Sequence, residues 1–180
     1  MKIYTKKGDK GKTRLLFGDA VSKDDLAPDA YGSVDELVAA LGLIRADKKL
    51  PIEVQESVLR IQRELFIVGA ELATTKENRK KLKPDQTLVE KKMILKLEKE
   101  IDFLEEKNGI PEFFVVPGEN EISAKFDWAR VVSRRAERKC VAWKKINKIE
   151  DTFVLVYLNR LSDLLWMMAR DFEEEWTSSK

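Results

Sequence analysis

Residues 128–143 read WARVVSRRAERKCVAW, and their spacing decides what kind of fold the chain builds. Val131, Val132, Ala136 and Cys140 fall on one side of a 3.6-residue repeat. Arg130, Arg134 and Glu137, at i, i+4 and i+7, line up on the other. The pattern is that of an amphipathic helix, predicted to start at Ser123 and run to about Ile146.

The same period extends in both directions. Val154, Leu158, Leu161, Leu165 and Met168 predict a helix over roughly Asp151 to Trp176. Upstream, Ile94, Leu97, Ile101 and Leu104 predict another, opened by Thr87 with Glu90 at capping-box spacing and stopped by Gly109. Pro51 suits the first turn of a helix reaching about Thr74, with Val54, Val58, Ile61, Leu65 and Val68 inward. Val34, Leu37, Leu41 and Ile44 predict the first helix, from about Ala30 to Ala46. The lysine cluster near residues 76–83 reads as a solvated link. Residues 109–120 break the pattern with PEFFVVPG, an apolar run between prolines. Five helices with short links and no strand-like alternation imply an all-α, antiparallel five-helix bundle over residues 30–176.

Residues 1–29 carry no period. Their TKKGDKGKTRL, at 5–15, ends in Gly-Lys-Thr but is not a P-loop. That pattern needs a glycine five residues before Gly11, where Lys6 stands, and a buried strand ahead of it. Another phosphate-holding geometry stays open.

The 180 residues suggest a single domain over 1–180 with a proper core. Charged residues make up 37% yet the net charge is only +2, so no global basic field attracts nucleic acid or anionic lipid. One cysteine, Cys140, fits a cytoplasmic setting, and no signal peptide or membrane-length apolar run is visible. There is no histidine. That removes Ser-His-Asp and Cys-His catalysis, the usual zinc sites and any histidine base in one step.

Several residues sit oddly in a plain bundle. The Arg130–Arg134 ladder can grip a polyphosphate through its planar forks, or serve as an exposed salt-bridged stripe. Asn159 and Asp163 lie one turn apart mid-helix, where such residues are poor helix formers; they suit a ligand or a helix–helix contact. Asp35 suits a helix first turn. Phe113 and Phe114 can plug a bundle end or line an apolar ligand site.

Read together, TKKGDKGKTRL, VSKDD (21–25), AYGSVDEL (30–37), FVVPG (114–118), RVVSRRAER (130–138) and YLNRLSDLLWMMAR (157–170) closely resemble the ATP:cob(I)alamin adenosyltransferases of the propanediol-utilisation type, in the same order and over about residues 3–172. The resemblance implies homotrimers of five-helix bundles with active sites between subunits. It implies transfer of the 5′-deoxyadenosyl group of ATP, with Mg2+, to a reduced corrinoid, cob(I)alamin, and release of triphosphate. It assigns Thr5, Lys6, Lys7, Gly8, Thr13, Arg14 and Lys23 to an N-terminal ATP loop. Arg134, Arg135, Ala136, Glu137 and Arg138 would bind nucleotide from the fourth helix, and Asn159 from the fifth. Asp35 and Arg130 match a pair linking adjacent subunits near the corrinoid, and Phe114 the ring closing its lower face. Metal ligands are not identified.

A reductase or an adenosylcobalamin-dependent enzyme would be a natural partner. Departures from the pattern are Lys7 where threonine is frequent, Val38 for asparagine, and Glu119 for a glycine. The same bundle also admits a nucleotide sensor or corrinoid-delivery protein without turnover, or a plain helical interaction module.

Overall fold

A computed structural model describes residues 3–4 and 6–180. Its order is β1 (Lys12–Arg14), β2 (Ala20–Ser22), α1 (Leu26–Arg45), α2 (Ile52–Leu72), a 3-10 helix (Lys76–Lys81), α3 (Lys91–Asn108), α4 (Glu121–Asn147) and α5 (Val154–Asp171). The mostly helical reading holds, with two additions. The N-terminal stretch is not all loop: β1 and β2 pair antiparallel, with Thr13 opposite Val21. Three-residue strands are too short for a period-2 signal to show. The lysine-rich link also winds into a 3-10 turn.

Helix ends moved where capping chemistry overrode apolar spacing. α1 begins four residues before Ala30 because Asp25 caps it, its side chain accepting from the Ala27 N–H at 3.1 Å. Pro28 is tolerated there, in a first turn whose N–H groups have no helical partner. The predicted capping box at Thr87 is absent. Thr87 Oγ1 instead accepts from the Lys83 N–H at 2.8 Å, and α3 starts after Glu90. The real capping box opens α4: Asn120 accepts from the N–H groups of Ile122 and Ser123, both at 2.9 Å, and Ser123 Oγ accepts back from the Asn120 N–H. α5 stops at Asp171, short of Trp176.

α4 packs against α5 and α1, α1 against α2, and α3 against α5. The buried apolar side chains form one cluster, in which Leu37, Leu41, Ile61, Leu65, Leu97, Leu158 and Leu161 are fully enclosed. Val132, Ala136 and Cys140 point inward as the spacing predicts, whereas Val131 is 41% exposed. It sits at the margin of the stripe, where a one-residue step rotates the side chain about 100°.

Among the described residues, the buried charged groups Glu64, Glu71, Asp127 and Arg170 all have partners. Glu71, wholly enclosed, accepts from Arg79 (2.9 Å), Thr152 Oγ1 (2.6 Å) and the Val89 N–H (2.8 Å). It therefore ties the end of α2 to the 3-10 turn, the approach to α3 and the α4–α5 link. A buried carboxylate with fewer donors would be costly.

Candidate active site

The N-terminal hairpin forms the wall of an open cavity of about 680 Å3, lined by Lys7, Gly8, Lys12, Thr13, Arg14, Ala20 and Lys23. The cavity arises because β1 and β2 are closed by a tight turn that is itself anchored. The Leu15 N–H donates to Asp19 O at 2.8 Å and the Gly18 N–H to Leu15 O at 3.0 Å. Leu15 is buried, the Leu16 N–H donates to Ala73 O at 2.9 Å, and Asn78 Nδ2 donates to Asp19 Oδ2 at 2.7 Å. Lys81 lies 5.2 Å from the Phe17 ring centroid. The far end of the hairpin is closed by the Lys23 N–H, which donates to Gly11 O at 2.8 Å.

Two glycines are needed here for different reasons. Gly11 has φ +73°, a left-handed conformation that disfavours side chains. A Cβ at Gly8 would come within 3.2 Å of Lys23 Nζ, so glycine lets the ammonium settle against the backbone. Lysine and arginine charges then gather around a concave surface, which suits a polyphosphate.

Five of the residues assigned to the ATP loop, Lys7, Gly8, Thr13, Arg14 and Lys23, thus meet in one cavity. Lys6, with φ +60°, lies in the preceding turn and does not line it. Thr5 lies outside the described residues. Lys12 and Ala20 line the cavity without having been singled out; the alternation of so short a strand gave no signal for them.

No α4 or α5 residue lines this cavity. Arg134 and Arg138 are exposed and make no ion pair among the described residues. Arg135 pairs with Glu36 and Lys139 with Asp29, clamping α4 to α1. Ala136 is fully buried and belongs to the core cluster. Glu137 is half-buried. Asn159 Oδ1 accepts from Arg160 at 2.9 Å. Burial raises the Asp163 carboxyl above its ordinary range, opposed by the charges of Arg160 and then Arg134, which places Arg134 near Asp163 at the α4–α5 seam.

A second cavity, of about 550 Å3, is lined by Ile110, Pro111, Glu112, Phe113, Phe114, Val115, Arg130 and Trp166. It brings Phe114 and Arg130 together with Trp166 of α5, distant in sequence, on a largely apolar surface. Phe114 is 85% exposed, an apolar ring largely open to solvent. Arg130 is held from behind: its Nε donates to Asp127 Oδ1 at 3.0 Å, Asp127 also pairs with buried Arg170, and Arg170 pairs with Glu173 at 2.7 Å. Trp166 packs over the Arg170 guanidinium at 5.6 Å. Asp127 and Trp166 were not foreseen, although an acid three residues before Arg130 on one helix was a readable cue.

Asp35 is elsewhere, in a groove of about 330 Å3 between α1 and α2 with Tyr31, Val38 and Phe66. Within one chain Arg130 pairs with Asp127, not with Asp35. Cys140 is fully buried, and burial, with Glu137 adding to it, pushes its thiol up to about 12. It is a core residue, not a nucleophile. Among the described residues no cluster of three or more His, Cys, Asp or Glu side chains is placed to hold a metal. None of the helices described is long and apolar enough to cross a membrane.

A family model described as cobalamin adenosyltransferase matches residues 3–172. The corrinoid adenosyltransferase of Citrobacter freundii is 39% identical over 169 residues, covering 94% of this chain and 93% of that protein. The corrinoid adenosyltransferase of Bacillus subtilis (strain 168) is 38% identical over 173 residues, covering 94% and 86%. Among solved structures, a variant PduO-type ATP:corrinoid adenosyltransferase from Lactobacillus reuteri, complexed with cobalamin and ATP, superposes with a TM-score of 0.85 at 31% identity, covering 94% of this chain and 89% of that one.

Proposed function

Because this chain belongs to the cobalamin adenosyltransferase family, we infer that it is an enzyme that transfers the 5′-deoxyadenosyl group of ATP to a reduced corrinoid. The observation that carries the reading at residue level is the coexistence of two unlike cavities in one chain. One is walled by Lys7, Lys12, Arg14 and Lys23, the other by Phe114, Arg130 and Trp166.

Triphosphate occupies the hairpin cavity, held by Lys7, Lys12, Lys23, Arg14 and Thr13; Lys6 joins them from the preceding turn, and Thr5 by its place in the family motif. Arg134, Glu137, Arg138 and Asn159 complete the nucleotide site, and Arg135 steadies it through Glu36. These two halves do not share a cavity within one chain, which supports a homotrimer of antiparallel five-helix bundles with sites between subunits. Asp35 of one subunit then meets Arg130 of the next. The chain is one domain, its first 29 residues presenting the nucleotide loop, and it works in the cytoplasm. Magnesium arrives on the triphosphate, its ligands chiefly phosphate oxygens and water.

The chemistry explains a histidine-free site. The cobalt(I) electron pair attacks the ribose 5′-carbon, a carbon–cobalt bond forms, the C5′–O bond breaks, and its electron pair leaves on triphosphate. No proton has to be removed, so no general base is required. The protein orients the reactants and stabilises the charge that grows on the leaving group, while the hard chemistry belongs to the corrinoid. Phe114 covers the lower face of the corrinoid and keeps axial ligands off cobalt, which makes the preceding cobalt(II) species easier to reduce.

The deciding experiment mixes the protein with MgATP and chemically reduced corrinoid. Adenosylcorrinoid and free triphosphate should appear in equal amounts. ATP binding without either product would sink the enzymatic reading in favour of a nucleotide sensor.

A further inference from the structure

Residues 110–117 hold Phe113 and Phe114 outside any helix or named strand. The segment is bounded by Gly109 and Gly118, at φ 73° and 108°, a region that glycine occupies without strain. Both ends are therefore easily reoriented. Among the described residues, the hydrogen bonds of residues 110–117 run to one place, the chain's own tail. The Val116 N–H donates to Thr177 O at 2.8 Å, and the Ser179 N–H donates to Phe114 O at 2.9 Å. Between those two bonds Val115 and Ser178 face each other across an antiparallel bridge.

The tail is itself secured where it leaves α5. Asn120 Nδ2 donates to Phe172 O at 2.6 Å, Phe172 stacks on Phe126 at 5.7 Å, and Glu173 pairs with Arg170. Asn120 is also the cap of α4, so the tail and the helix that bears Arg130 share an anchor. Residues 173–180 lie beyond the part of the chain that the family model matches.

We propose that residues 177–179 are a positioning strap for Phe114. By pairing with residues 114–116 they fix the backbone of a ring that is itself mostly exposed, and so set its height in the second cavity. The proposal rests on the reading of Phe114 as the ring beneath the corrinoid.

A chain ending at Trp176, and Ser179→Pro in the full chain, which deletes a single donor, test it. Without ligand, amide exchange at Val116 should accelerate roughly tenfold in the truncated chain, with Leu158 in the core unchanged. With MgATP and cobalt(II) corrinoid bound, the cobalt spectrum reports whether an axial ligand remains. The truncated chain should retain more ligated cobalt and lose about tenfold in kcat, while ATP affinity stays within about twofold. Ser179→Pro should show the same changes at smaller size.

A Val115→Cys/Ser178→Cys pair in the Ser179→Pro chain should restore the parent spectrum once oxidised. The facing pair lies about 4.5 Å apart at Cα, as non-hydrogen-bonded pairs do, within disulfide reach. Unchanged exchange at Val116 overturns the strap. Faster exchange with the parent's spectrum and kcat overturns its positioning role. A parent chain that forms no adenosylated corrinoid refutes the functional reading instead, and with it the role given to Phe114.

Discussion

The hairpin cavity and the Phe114 cavity solve opposite physical problems. The first collects like charges on an exposed surface, with Lys7, Lys12, Arg14 and Lys23 turned to solvent and backbone bonds setting their spacing. Its partner must bring the counter-charge. The second is largely apolar, and its one lining cation, Arg130, is braced by the buried series Asp127, Arg170 and Glu173. Affinity in the first should come from charge and fall with salt; in the second it depends on where one ring sits. The hairpin can therefore lose a charge with little harm to the fold, whereas the aromatic cavity is continuous with the core.

The largest effect should come from breaking that continuity. Asp127→Ala strands Arg170 with Glu173 alone and frees Arg130. Breaking a buried pair costs about 3 kcal/mol, so Tm should fall by roughly 6–12 °C, read by calorimetry. An unchanged Tm would mean that the two regions are equally independent of the core.

Phe114→Ala should lower adenosylation about 100-fold with ATP affinity within about twofold. Equal loss of both, measured by turnover and by nucleotide titration, would merge the two cavities into one functional unit. Arg14→Ala or Lys23→Ala should do the converse. Losing a charge-assisted bond worth about 1.5–3 kcal/mol raises the ATP dissociation constant roughly 10- to 100-fold, with Tm unmoved and the defect narrowing as salt is raised and screens the parent's own contact.

Asn78→Ala, which releases the hairpin turn from the 3-10 helix, should weaken ATP by only about fivefold, the worth of one hydrogen bond. The smallest effect is expected at Cys140. Its thiol has an ordinary value of 9.0 and is raised in the fold, which therefore holds the proton more tightly than the unfolded chain. This contribution is complete below pH 9.0 and is lost as pH climbs toward about 12. Alkylation at pH 8 should be negligible in the native protein and rapid in denaturant.

What could be read in advance divides along the same line. The helices were legible because burying one face imposes a 3.6-residue repeat on Val132, Ala136, Cys140 and their counterparts. Their ends were not: Asp25 and Asn120 act through single hydrogen bonds that leave no periodic trace, and a Thr–Glu spacing at 87–90 mimicked one. The loop proposed to hold ATP could be singled out as a motif because its residues are neighbours in sequence, while the hairpin that shapes it was too short to show a period.

The sequence alone determined that the chain is helical, that it lacks a histidine base, and which motifs it shares with its family. These are properties of composition and local spacing, which each residue carries with it. Tertiary structure alone decided that Phe114 meets Arg130 and Trp166, that buried Arg170 backs the Asp127 carboxylate that holds Arg130, and that Thr177 and Ser179 hold the loop bearing Phe114. Those facts depend on which distant segments the packed core brings together, and no local periodicity encodes such a meeting.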